Sequence, residues 1–267
     1  MAARKKPETF EELALSILKA QLSALVRNRQ GAIALEDIEH LHKIRVALRR
    51  ARLCARLFVK HLPAWAGELE ALLDGLDDDL GPARDADVVV RLVRKRALKT
   101  GLSEHSLATL EVRSDAWVAE RQKRAVKALG SKEFDRIDHY LNLSRVDTAK
   151  KQRPITVKKV SDFLDKLAEE VRMIVEELKK RKATPRRIHT LRIAVRRYRY
   201  GLEFFKGTKG LVTAEKLKAV VALQDRLGLH HDLTLALAFL DEAGLDGEEF
   251  DAIRSWIRKR RKKAAPC

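Results

Sequence analysis

Two stretches set 147 residues apart constrain the fold of this chain more than any other feature. Residues 40–58 read HLHKIRVALRRARLCARLF and residues 186–205 read RRIHTLRIAVRRYRYGLEFF. One shift superimposes His42 on His189, Arg45 on Arg192, Ala47 on Ala194, Arg49 on Arg196, Arg50 on Arg197, Arg52 on Arg199 and Phe58 on Phe205. The same shift carries Leu76 onto Leu223, Asp78 onto Asp225, Leu80 onto Leu227, Gly81 onto Gly228 and Asp85 onto Asp232. Two separated blocks in one register mark a duplicated unit. Apolar residues recur at three- and four-residue spacing, and alternating strands and hairpin dipeptides are missing. The expectation is an all-α chain of two pseudo-symmetric, duplicated helical bundles. The first repeat spans 1–146, a linker 147–159 and the second repeat 160–267, with a basic groove or channel between the bundles.

On a helix, residues three, four and seven apart share a face. His42, Arg45, Arg49, Arg52 and Arg56 follow that rule, and so do Leu41, Ile44, Leu48, Ala51, Ala55 and Phe58, one residue out of step. One flank therefore packs, and the adjacent flank carries a line of cations about 20 Å long. The second copy has His189, Arg192, Arg196 and Arg199 on the cationic line. Its packing line is Ile188, Leu191, Val195, Tyr198, Leu202 and Phe205. Glu203 stands where the first copy has Arg56, so the two lines are not equivalent. Like charges one turn apart repel, so such a line asks for a counter-charge. Arginine grips two oxygens of a phosphate at once, whereas lysine acts as a point charge. A linear array of guanidinium groups suits a linear array of phosphates. The bland alternative is a solvated basic face with some arginines paired to neighbouring carboxylates.

The whole composition agrees with a polyanionic partner. The 267 residues are 45% apolar, enough for a core, and carry a formal net charge of +18. Cys54 and Cys267 are the only cysteines, so neither a disulfide framework nor a zinc knuckle is available. The N-terminal residues recur at helical spacing among Glu11, Glu12 and Lys19 and make a poor signal peptide. No apolar run approaches the length that spans a bilayer. A cytoplasmic protein without membrane contact is expected.

Prolines punctuate the pattern. Pro63 ends the first basic helix, Pro82 starts a new helix after Gly81, Pro154 lies in the linker and Pro185 precedes the second basic helix. The unit thus reads as an entry helix, the basic helix, an acidic-then-apolar helix pair and closing helices.

Other candidates carry weaker chemistry. LGLHHDLTLAL (227–237) holds His231 and Asp232, a pair familiar from metal-dependent phosphohydrolases, yet the distal ligands have no matching positions. The duplicate segment LGPARDADVVV sets Arg84 opposite His231 and Asp85 opposite Asp232. An enzyme's metal site would not become arginine in its copy, so supporting roles are expected. For Asp85 and Asp232 these are a helix cap or a carboxylate that holds an arginine. For Arg84 and His231 the role is added positive charge. In LDGLDDDL, Asp74, Asp77, Asp78 and Asp79 read as a solvated acidic face near a helix start rather than a cation site. A lone histidine per line is a poor metal site. No metal, cofactor or phosphate-cradling glycine loop is expected.

At these residues the chain resembles the CHAD family, the conserved histidine α-helical domains, over roughly 10–260. The carriers are the first stretch with LGPARDADVV, and IHTLRIAVRRYRYGLEFF with LQDRLGLHHDL. The resemblance implies two helical bundles and a basic groove that binds inorganic polyphosphate. It implies a stand-alone member, some of which sit on polyphosphate granules. Carried over by position, the implied binding residues are His42, Arg45, Arg49, Arg50 and Arg52, with His189, Arg192, Arg196, Arg197 and Arg199; Arg56 extends the line by helical geometry. Sulfate or phosphate ions are further ligands of such a groove. Three functions remain to compare: a non-catalytic polyphosphate binder, a nucleic-acid binder and a metal-dependent phosphohydrolase. Aromatics are only 5% of the chain, and Tyr198 and Tyr200 are the nearest rings for base stacking. The sequence leaves the oligomeric state open.

Overall fold

Helical periodicity without strand alternation becomes an all-α chain in the computed structural model, which describes residues 9–146, 154–181, 183–206 and 210–266. Among these, the helices are α1 (Phe10–Ile33), α2 (Ile38–Leu57), α3 (Trp65–Thr100), α4 (Glu104–Leu129), α5 (Lys132–Val146), α6 (Val157–Lys180), α7 (Pro185–Phe204), α8 (Ala214–Glu242) and α9 (Glu248–Ala264). A 3-10 turn, Val59–His61, follows α2.

Threonine starts four of these helices. The hydroxyls of Thr9, Thr156, Thr184 and Thr213 each accept a hydrogen bond from the backbone N–H three residues on. That satisfies one of the N–H groups a helix start leaves unpaired. Asp37 does the same for α2 through the N–H of Glu39. Pro185 follows Thr184 in the first turn of α7, where its missing N–H costs no helical bond. Thr156 ends the linker, so 157–159 already belong to α6, and the linker's residues 147–153 lie outside the described residues. Cys267 lies outside them as well.

The chain forms two compact units, Met1–Arg84 with Ala119–Ile155, and Asp85–Val118 with Thr156–Cys267. These divide the chain by packing, whereas 1–146 and 160–267 divide it by sequence repeat. The divisions differ because the second half of α3 and the first half of α4 pack with α8 and α9. In that second unit Val89, Val93, Leu110, Leu233, Phe239 and Ile253 share one core. Trp117 lies on the Phe239 ring at 4.7 Å, and its Nε1 donates to Glu242 Oε2 at 2.8 Å. A second core there joins Leu178 of α6, Leu191 and Val195 of α7 and Leu227 of α8.

In the first unit α1 packs along α2 and α5. The Cys54 thiol meets the Ala14 carbonyl at 3.5 Å, and the Phe10 and Phe58 rings lie 5.9 Å apart. Arg29 of α1 pairs with Asp135 at 2.7 Å, donates to the Leu129 carbonyl at 2.7 Å and covers the Phe134 ring. Burial pushes the Cys54 thiol well above its usual value, so it serves as a small core residue.

Two expectations need correction. Pro82 does not start a helix; it sits inside the 36-residue α3. Proline removes only the bond to the Asp78 carbonyl, and fully buried Leu80, Ala83 and Ala86 hold the helix on both sides of it. The acidic-then-apolar helix pair is accordingly one continuous helix in each copy, α3 and α8.

Candidate functional site

The packing lines lie where helical spacing puts them. Leu41, Ile44, Leu48, Ala51, Ala55 and Phe58 are buried, as are Ile188, Leu191, Val195, Tyr198, Leu202 and Phe205. This anchors α2 and α7 by one flank. Along the adjacent flank Arg49 and Arg52 are half-buried and Arg56 is exposed; on α7 His189 is exposed and Arg192, Arg196 and Arg199 are half-buried.

Arg45 departs from this pattern. It is 7% exposed, turned onto α3 rather than outward. A Cβ at Gly81 would lie 2.5 Å from Arg45 Nη1, so the absence of a side chain at 81 makes room for the guanidinium. Arg45 Nε lies 3.9 Å from Asp77 Oδ1. Farther along, Arg52 reaches Asp77 at 3.4 Å and also pairs with Asp74, and Arg56 pairs with Glu70 at 2.6 Å. Glu70, Asp74 and Asp77 are spaced i, i+4, i+7 on α3 and meet Arg56, Arg52 and Arg45 in reverse order, as antiparallel helices require. Asp79 pairs with Arg124 of α4 at 2.7 Å. Three of the four aspartates, Asp74, Asp77 and Asp79, are therefore paired and all four lie mid-helix rather than near a helix start; Asp78 is exposed. Glu70 was missed by sequence reading; its signal was the i, i+4, i+7 spacing with Asp74 and Asp77.

Arg49 stands between these pairs. Its Nε donates to the Arg45 carbonyl at 3.1 Å, and it makes no carboxylate pair among the described residues. In the second unit Arg199 Nε pairs with Glu203 at 2.9 Å and Arg197 with Glu170 of α6 at 2.8 Å. Glu203 thus has a job: it holds Arg199 from within α7, as Asp74 of α3 holds the aligned Arg52.

The supporting positions come together with the lines. Burial first, then the Arg84 guanidinium, hold the His42 imidazole below its usual value; Arg49 and Arg45 add to this and Glu39 opposes it. Partial desolvation, then Arg192 and Arg196, hold the His189 imidazole below its usual value. His231, at the position equivalent to Arg84, is lowered to about 4 by burial and then Arg192, with Asp85 opposing and His189 and Arg196 adding. Arg84 in one copy and His231 in the other thus sit beside the histidine of their own line. Asp85 and Asp232 lie mid-helix, so neither is a cap. Consecutive helix positions point about 100° apart, which separates the His231 and Asp232 side chains. No group of three or more metal-ligating side chains occurs among the described residues. No helix among them is long and apolar enough to cross a membrane.

His231 has a pH signature. Between about pH 6.5, the usual imidazole value, and about pH 4, the unfolded chain binds a proton there that the folded chain refuses. Stability therefore falls as pH drops through that window. Melting temperatures of the His231→Asn variant should decline less steeply than wild type between pH 6.5 and 4; parallel curves would contradict the assignment.

A CHAD domain profile matches residues 16–241 of the chain. The chain is similar to the crystal structure of the CHAD domain from the plant Ricinus communis, with a TM-score of 0.78 and 26% identity over 98% of this chain and 90% of that one. It also matches the fold of PptA from Streptomyces chartreusis, with a TM-score of 0.76 and 15% identity over 97% and 96% of the two chains. No curated protein matches significantly.

Proposed function

The chain belongs to the CHAD domain family, and from that premise we propose that it binds inorganic polyphosphate without catalysis. The contacts fall to the arginine and histidine lines of α2 and α7. The observation that carries this reading is the duplicated line itself: the same histidine and arginines recur on two helices, each anchored by a buried adjacent flank. Guanidinium groups at helical spacing grip successive phosphates by charge-assisted hydrogen bonds. A polyanion with one charge per internal phosphate binds largely by counterion release, so affinity falls steeply with salt. Protonation of His42 and His189 adds charge that the bound phosphates stabilise. Association with polyphosphate granules follows from such binding.

Burial of Tyr198 and Tyr200 favours polyphosphate over nucleic acid, because neither ring is open for base stacking. Titration with polyphosphate of defined lengths, with double-stranded DNA and heparin as competitors, tests this. Polyphosphate should hold its place against DNA at equal phosphate concentration; displacement by DNA would overturn the specificity. Incubation with polyphosphate and Mg²⁺ or Mn²⁺ should release no phosphate. Release that is lost in His231→Ala would establish a hydrolase instead.

A further inference from the structure

The C-terminal half of α9 carries six consecutive cations, Arg258, Lys259, Arg260, Arg261, Lys262 and Lys263. Arg261 is half-buried and the other five are exposed. Arg254, one turn earlier, is buried and pairs with Asp241 at 2.9 Å and Asp246 at 3.0 Å. The six that follow it make no carboxylate pair among the described residues. Cations complement the negative end of a helix, but only within its last turn. That accounts for Arg261, Lys262 and Lys263, not for Arg258, Lys259 and Arg260 before them. Like charges three and four residues apart on one helix repel.

One flank of this run opens into a groove. Arg260 and Lys263 of α9 meet Asp225, Arg226 and Leu229 of α8 around a space of about 410 Å³, with Ala264 at its end. Three cations against one carboxylate leave the groove net positive. Its walls are held in place. Arg226 donates to the Ala265 carbonyl, which ties the end of α9 to α8. Trp256 packs on the core of α3, α4, α8 and α9, with the Arg96 guanidinium 4.9 Å and the Arg260 guanidinium 5.5 Å from its ring. Stacking occupies a face of the guanidinium and leaves its N–H edge to meet oxygens.

We propose that this α8–α9 groove is a further phosphate-chain site, in which Arg226, Arg260 and Lys263 hold a stretch of polyphosphate that continues beyond the α7 line. The proposal rests on the polyphosphate reading above and extends it to a second surface of the same unit. Helix α8 packs against both α7 and α9. Its adjacent residues His230 and His231 turn to different neighbours. Burial and then Arg192 of the α7 line lower His231, whereas burial and then Arg261 of α9 lower His230. Imidazoles thus stand on α8 toward each basic surface. The chemistry favours a phosphate chain over a nucleic acid. The groove offers guanidinium and ammonium groups, and its nearest ring, Trp256, is half-buried beneath arginines rather than open to a base.

The test uses two pairs of substitutions on exposed positions of α9. Arg260→Gln with Lys263→Gln empties the groove flank. Arg258→Gln with Lys262→Gln removes the same charge from the other flank of the helix, about 160° away from Arg260 at the first of the two positions. Fluorescence anisotropy with labelled long-chain polyphosphate should show about a tenfold loss for the groove pair, the removal of two exposed charge-assisted contacts. The slope of log affinity against log salt should fall by about 1.4, at about 0.7 per contact. The control pair should change affinity less than about twofold, because salt screens charges that touch no phosphate. Tripolyphosphate, too short to reach from the α7 line to α9, should bind the groove pair as it binds wild type in calorimetry. Unchanged long-chain affinity in the groove pair, or equal losses in the two pairs, would overturn the site. So would a loss of duplex DNA binding in the groove pair with polyphosphate binding intact, which would make the groove a nucleic-acid surface. A flat titration of the wild-type protein would instead overturn the polyphosphate reading on which the proposal rests.

Discussion

The Arg49→Glu, Arg196→Glu double variant is expected to lose retention on a polyphosphate matrix at about 0.1 M salt, while keeping its helical circular dichroism. Arg49 is a clean position for reversal. It is half-buried, its Nε donates to the Arg45 carbonyl, and among the described residues it makes no carboxylate pair that replacement would break. Arg196 is its equivalent on α7 and lies close enough to His189 and His231 to lower both imidazoles. Losing two charge-assisted contacts costs about 3–6 kcal/mol, a fall of roughly 10²–10⁴ in affinity. The new carboxylates add repulsion to that loss. Unchanged retention by the folded double variant would remove these lines from the binding surface altogether.

A second large effect belongs to the scaffold. Phe239→Ala should destabilise the protein by about 3–5 kcal/mol, the usual cost of emptying a fully enclosed phenylalanine site. Phe239 has no solvent exposure, lies in the α3–α4–α8–α9 core with Leu233 and Ile253, and carries Trp117 on its ring at 4.7 Å. Urea unfolding followed by tryptophan emission measures the change. A loss under about 1 kcal/mol, small for a core phenylalanine, would mean that neighbouring side chains close the cavity or that the core lies elsewhere.

The apolar lines of α2 and α7 could be read residue by residue from the sequence, because helical periodicity is local and the same residues must face the bundle in every turn. The cationic lines followed from the same spacing, and their duplication followed from one shift of the chain against itself. Pro82 shows the limit of local punctuation. Proline after glycine is a sound reason to start a helix, but the buried Leu80, Ala83 and Ala86 on either side carry α3 straight through. Asp85 and Asp232 show the same limit, since a residue can cap only a helix that begins there.

Glu203 is a case in between. As a sequence feature it weakened the second line; in the fold it orients Arg199, and its pairing partner lies one turn away on the same helix. An i, i+4 Arg–Glu pair is visible in a sequence. That it substitutes for Asp74 is not, because Asp74 reaches Arg52 from another helix.

By itself the sequence determined that the chain is helical, that two of its helices carry the same histidine and arginines, and which flank of each is anchored. These are properties of residues within one or two turns of each other. Only the tertiary structure decided that Arg45 turns inward over Gly81 and that Glu70, Asp74 and Asp77 climb α3 against Arg56, Arg52 and Arg45. It also placed Arg84 and His231 beside the histidine of their own line. The physical reason is that a cation's partner depends on the rotation and register of the helix packed against it. Those are set by core contacts far apart in the chain, which no local spacing encodes.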